Sequence, residues 1–198
     1  MDIIVHRINK IKLLKNLDIK YGVEIDVRDS GRTLVIQHDP FKKGLQLHEF
    51  LSSYRQKGLL LIDVKSEGIE YQILKILKKF KIKNFFFLNS TYPIIINLIN
   101  KKKNFIRVSD FESFENIYKF KGKIKWVWLE IYKKVNLTRK QILYLKNNRI
   151  KVCMVSPELH GGNVNDIARI QTIIKNNKIQ IDAVCVKQKF IKYWDRLN

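Results

Sequence analysis

Tyr21-Gly22-Val23-Glu24-Ile25-Asp26-Val27-Arg28 reads as a β-strand with two unlike faces. Side chains alternate along a strand, so Val23, Ile25 and Val27 share one face, and Glu24, Asp26 and Arg28 share the other. Directly after it, Asp29-Ser30-Gly31-Arg32 is a turn signal, and residues 33–37 read as the returning half of a hairpin. Outward from this point, short β-branched or aromatic runs recur at 3–6, 59–64, 84–88, 105–108, 125–130, 151–155 and 181–186. Amphipathic stretches separate them. Ile69, Ile73, Ile76, Leu77 and Phe80 follow a helical period, with Lys75, Lys78 and Lys79 opposite. Leu137, Ile142 and Leu145 lie around the cap candidate Thr138, and Asn163 or Asn165 can cap a helix carrying Ile167, Ile170 and Ile174. Residues 8–19, 47–56, 92–100 and 111–118 are shorter helix candidates.

Eight strands alternating with helices predict an α/β fold, a compact (β/α)8 TIM barrel with a small β-hairpin insertion after strand 2. A single domain is expected over residues 1–198. Such barrels average about 250 residues and tolerate about 200, so this one would be stripped down. An open doubly wound sheet is the runner-up. The first strand is followed by Ile8-Asn9-Lys10 and not by a glycine-rich phosphate loop, which removes the usual dinucleotide and P-loop readings.

Composition narrows the function classes. Hydrophobic residues make up 45% and charged residues 29%, ordinary globular usage that excludes a disordered chain. Lys+Arg 39 against Asp+Glu 18 gives a net charge of +21, a field that favours anionic partners: nucleic acid, an anionic membrane surface or phosphorylated small molecules. Heavy use of Ile, Lys and Asn offers a plainer origin for that charge, a solvated basic surface. The two cysteines, Cys153 and Cys185, cannot form a disulfide framework and are expected to be reduced and interior. The start, MDIIVHRINK, lacks the pattern of a signal peptide, and no apolar run approaches a membrane span. A cytoplasmic protein is expected, able to sit peripherally on a membrane through its basic surface.

The informative anomaly is charge inside strands whose outer face a barrel covers with helices. Glu24 and Asp26 then project side by side towards the barrel interior or mouth, about 6 to 7 Å apart at Cα. Carboxylates that close need a compensating cation. Arg28, Lys65 or a hard metal ion can supply it. Leu61-Ile62-Asp63-Val64-Lys65 repeats the alternation and puts Asp63 and Lys65 on one face. His6 ends the first strand, and Gln37-His38-Asp39-Pro40 ends the hairpin. Two histidines and three carboxylates thus gather at the C-terminal ends of the first three strands, the end that carries chemistry in barrels. An oxygen-rich set suits Mg2+ or Ca2+, and such an ion beside two imidazoles and a Lys–Arg pair suits phosphoryl transfer. One imidazole can accept the nucleophile's proton while the other protonates the leaving oxygen. Zinc held by His6, His38 and a carboxylate is the alternative metal reading.

These segments in order resemble the glycerophosphodiester phosphodiesterase family, within the phosphatidylinositol-specific phospholipase C-like phosphodiesterases. The matching pieces are Val5-His6-Arg7, Val23-Glu24-Ile25-Asp26-Val27-Arg28, Val35-Ile36-Gln37-His38-Asp39 and Leu61-Ile62-Asp63-Val64-Lys65, spanning about the first third of the chain. The resemblance implies that His6 and His38 are the catalytic acid–base pair and that Glu24, Asp26 and Asp63 are metal ligands. It implies that Arg7 and Lys65 contact the phosphate. It also implies a two-step route, in which a substrate hydroxyl beside the diester attacks phosphorus to give a cyclic phosphate that water then opens. Three departures stand out: Ile8 where the family has Gly, Asp63 where it has Glu, and Asn89-Ser90-Thr91-Tyr92 in place of its Ser-Phe.

The second half offers further substrate-binding candidates. Trp126, Trp128 and Glu130 share a strand face, and Ser156-Pro157-Glu158-Leu159-His160-Gly161-Gly162 is the most distinctive late loop. Glu130, Glu158 and His160 are therefore candidates for the substrate headgroup, and Arg107 and Lys187 for an anion-binding rim. The resulting expectation is a metal-dependent phosphodiesterase acting on a glycerophosphodiester or similar small polyol phosphodiester. The alternative is a basic nucleic-acid- or anionic-membrane-binding module on an inactive barrel. Nucleic acid is disfavoured, because Lys101-Lys102-Lys103 is not interleaved with stacking aromatics.

Overall fold

The computed structural model describes residues 1–132 and 137–195. The chain divides into two compact units, one of Ile4–Asn104 and one of Met1–Ile3 with Phe105–Asn198. All the strands expected from the sequence are present. In the first unit, β1 (Asp2–His6) contributes its last residues and runs parallel to β2 (Gly22–Ser30), with Val5 opposite Val23. The other edge of β2 pairs in parallel with β5 (Leu60–Val64), and β5 pairs with β6 (Phe85–Leu88). Beyond Val27, β2 continues into an antiparallel hairpin with β3 (Thr33–Ile36), on which the two-residue β4 (Leu45–Gln46) pairs in turn. That last strand is too short to leave a sequence signal.

The second unit repeats the parallel pattern. There β10 (Ala183–Lys187) pairs with β9 (Lys151–Val155), β9 with β8 (Trp126–Leu129), and β8 with β7 (Phe105–Val108). Its helices form where the caps predict. In α1 (Arg139–Asn147), the Thr138 hydroxyl accepts the Gln141 N–H while the Gln141 side chain accepts the Thr138 N–H. Asn163 and Asp166 exchange the same pair of bonds at the start of α2 (Val164–Asn176).

The closed (β/α)8 TIM barrel is not formed. Among the described residues, β6 and β7 are both terminal strands and no ladder joins them, so this α/β fold has an open sheet. The register explains why. Phe87 bridges Asn104, the residue just before β7, and donates its N–H to Lys103 at 2.7 Å. That leaves β6 only Leu88 before Asn89 turns away at a φ of 62°. The free edge of β6 therefore ends in a single isolated bridge and not in a ladder.

Close backbone approach fixes the register that matters for the site. A Cβ on Gly58 would lie 2.2 Å from the Gly22 nitrogen, and one on Gly22 would lie 2.5 Å from the Leu59 oxygen. With both glycines in place, β2 and β5 align so that Glu24 faces Leu61 and Asp26 faces Asp63. Gly58→Ala must push backbone against backbone, so a loss on the order of 3 kcal/mol is expected in urea denaturation. A midpoint equal to that of the natural chain would show that the register does not depend on this contact. The apolar face of β2 is fully buried with Leu60, Leu61 and Ile62 of β5. None of the helices among the described residues is long and apolar enough to cross a membrane.

Candidate metal centre

The polar face of β2 carries the site. Glu24, Asp26 and Asp63 each offer a carboxylate oxygen, and these three atoms lie within 4.8 Å of one another. All three residues are buried, at 2%, 1% and 8% exposure, so water cannot spread their charge. Asp26 and Asp63 meet because they are ladder partners across β2 and β5, and Glu24 stands two residues earlier on the same face.

Each aspartate has one oxygen tied by a neutral amide and one left for a cation. Asn9 clamps Asp26 from two sides: its Oδ1 accepts the Asp26 N–H at 3.0 Å, and its Nδ2 donates to Asp26 Oδ2 at 2.7 Å. Arg7 Nε stands 3.1 Å from that same Oδ2. Asn89 donates to Asp63 Oδ1 at 2.7 Å. The Lys65 ammonium takes the remaining oxygens, donating to Asp63 Oδ2 at 2.7 Å and facing Asp26 Oδ1 at 3.2 Å. Glu24 Oε2 is buried without a hydrogen-bond partner; His6 Nε2 is 3.8 Å from it.

The electrostatics follow from that accounting. Burial, with Asp26 and Asp63 adding to it, pushes the Glu24 carboxyl well above the usual glutamate range, against the pull of Lys65 and Arg7. Burial also raises Asp63, although Lys65 and Asn89 oppose it. For Lys65, burial acts to lower the ammonium, but Asp63 and Asp26 outweigh it and hold the group above its ordinary value. A buried glutamate oxygen with no donor, beside two aspartate oxygens, fits a hard divalent ion: the donors are all oxygen, as Mg2+ and Ca2+ require.

The other expected residues take these positions. His38 follows the hairpin, where its Nδ1 pairs with Asp39 Oδ1 at 2.7 Å and its carbonyl accepts from Arg28. The hydrogen bond from His38, with help from Lys42, holds the half-buried Asp39 carboxyl down to about 2. Arg28 is thus spent on the Gln37 and His38 carbonyls and compensates none of the three carboxylates through a hydrogen bond or ion pair. Ile8, the departure from glycine, is buried in the core, and its N–H donates to the Glu24 carbonyl at 2.8 Å.

Three solved structures share this fold. A protein of Agrobacterium tumefaciens str. C58, assigned as a glycerophosphoryl diester phosphodiesterase, superposes with a TM-score of 0.68 at 9% identity, over 100% of this chain and 99% of its own. A glycerophosphoryl diester phosphodiesterase from Parabacteroides distasonis ATCC 8503 gives 0.67 at 14% identity, over 93% and 82% of the two chains. The fold is that of the glycerophosphodiester phosphodiesterases. A glycerophosphodiester phosphodiesterase from Agrobacterium tumefaciens str. C58 gives a TM-score of 0.60 at 11% identity, covering 94% of this chain and 96% of the other. No family model and no curated protein matches the sequence.

Three expected substrate-binding residues, Glu130, Glu158 and His160, belong to the second unit, and each has its own partners there. Glu130 accepts from the Trp128 indole at 2.7 Å and the Tyr132 hydroxyl at 2.6 Å. The Tyr132 hydroxyl is thereby raised to about 12. Glu158 is buried and accepts from the Ser156 hydroxyl and the Lys187 N–H, so both of its oxygens serve the chain itself. His160 stacks on Tyr132 with ring centroids 4.5 Å apart.

Asn9 and Asn89 are the site residues that the sequence does not announce. Nothing in their local pattern marks them. Asn9 lies outside any strand alternation, and Asn89 reaches Asp63 only because β6 ends beside it, with Asp63 opposite Leu88.

Proposed function

We propose that this chain is a divalent-cation-dependent phosphodiesterase acting on a glycerophosphodiester or another small polyol phosphodiester. The observation that carries the reading is the buried Glu24–Asp26–Asp63 cluster with its unpartnered Glu24 oxygen, set in a phosphodiesterase fold. A cation held by these three carboxylates would supply positive charge against the non-bridging oxygens of the substrate. Arg7 and Lys65, already at the cluster, would bind and orient the same phosphate.

His6 and His38 divide the proton transfers. One imidazole takes the proton of the substrate hydroxyl beside the diester as that oxygen attacks phosphorus. The other gives its proton to the alcohol oxygen as the P–O bond breaks. The products are a cyclic phosphate and the free alcohol. Water then adds to phosphorus with the roles reversed, the ring P–O bond opens, and both imidazoles return to their starting states. Asp39, bonded to His38 Nδ1, leaves Nε2 as the nitrogen that works.

The test is release of alcohol from a panel of glycerophosphodiesters. Turnover is expected to disappear in EDTA and to return with Mg2+, Ca2+ or Mn2+. Undiminished turnover in EDTA would overturn the proposal.

A further inference from the structure

We infer that the Lys65 ammonium is the resident counter-ion of the carboxylate cluster, that a divalent cation displaces it, and that cation and phosphate therefore bind cooperatively. The inference rests on the metal reading of the cluster and adds how its occupancy is controlled. Lys65 Nζ lies 2.7 Å from Asp63 Oδ2 and 3.2 Å from Asp26 Oδ1, the two aspartate oxygens that no amide holds. A hard divalent ion needs such oxygens at about 2.0 to 2.6 Å. Two positive centres sharing both oxygens would stand roughly 3 Å apart, where their repulsion in a buried site is severe. Occupancy is therefore exclusive.

The structure also separates what stays from what moves. Asp26 is pinned by Asn9 and Arg7, and Asp63 by Asn89. Apart from these two aspartate contacts, Lys65 is held at its backbone, whose N–H donates to the Val27 carbonyl at 2.8 Å, and its side chain is partly exposed. Its four-carbon stem lets the ammonium leave without disturbing β5. A displaced ammonium is free for an anionic oxygen, and an anion that holds it there lowers the cost of cation entry. By linkage, the cation must tighten anion binding by the same factor.

Mn2+ binding to the full chain, measured calorimetrically with and without dimethyl phosphate, tests this. Lys65→Met is expected to bind Mn2+ at least tenfold more tightly than the natural chain when no anion is present. Dimethyl phosphate is expected to tighten Mn2+ binding several-fold in the natural chain and far less in the variant. A measurement on the natural chain alone guards against a variant that does not fold: reductive methylation of Lys65, followed by peptide mass spectrometry. Labelling is expected to accelerate at least fivefold when Mn2+ is added. Unchanged or weaker Mn2+ affinity in folded Lys65→Met, or labelling indifferent to Mn2+, would overturn the inference and leave the metal reading standing. No Mn2+ binding by either protein would overturn both.

Discussion

Glu24→Gln is expected to make the cation-free protein more stable while abolishing cation-dependent turnover. Glu24 is buried beside two other carboxylates with one oxygen unpartnered, so the glutamate costs stability whenever no cation is bound. The neutral isostere removes that penalty, and a gain of about 1 to 3 kcal/mol is expected in EDTA. At roughly 2 to 4 °C per kcal/mol for a chain of this size, thermal unfolding resolves it easily. The order reverses with metal. A cation at a hundred times its dissociation constant adds about 2.7 kcal/mol to a chain that binds it and nothing to one that does not.

The same variant carries a pH signature. The folded Glu24 carboxyl lies well above the 4.5 of an unperturbed glutamate, so between those values the folded chain keeps a proton that the unfolded chain has lost. Stability of the cation-free protein must therefore fall as pH rises through that window. Asp63, also raised, adds to the slope. Glu24→Gln should flatten it. An equal slope in both proteins would place the titrating group elsewhere.

Removing either histidine is expected to lower kcat by about 10² to 10⁴ while leaving Mn2+ binding in place, since neither imidazole is counted among the ligands. Leaving-group chemistry then separates their roles. On a p-nitrophenyl phosphodiester the departing oxygen needs no proton, so the variant that lacks the general acid should recover most of its first-step rate. The variant that lacks the base should not. If both His6→Ala and His38→Ala kept full activity on unactivated diesters, acid–base catalysis by this pair would be wrong, whatever the state of the metal.

Strand alternation makes much of this site legible in the sequence itself. Glu24 and Asp26 must share a face of β2, and Asp63 and Lys65 a face beyond it, because period-two geometry leaves no choice once Val23, Ile25, Ile62 and Val64 take the opposite face. What alternation cannot give is register. That Asp26 faces Asp63 depends on Gly22 and Gly58 meeting backbone to backbone, a contact between residues far apart in sequence. Closure of the sheet is illegible for the same reason: rhythm alone does not encode that the free edge of β6 ends in one bridge from Phe87 to Asn104. Asn9 and Asn89 carry no signal of their own because a lone asparagine in the turn that follows a strand is ordinary. Their importance comes from the carboxylates they find there.

The most direct test is a crystal grown with MnCl2 and measured at the manganese absorption edge. An anomalous peak bonded to Glu24, Asp26 and Asp63, with the Lys65 ammonium withdrawn from Asp63 and Asp26, is the predicted result. Manganese absent from the cluster at saturating concentration, with Lys65 still bridging the two aspartates, would contradict it.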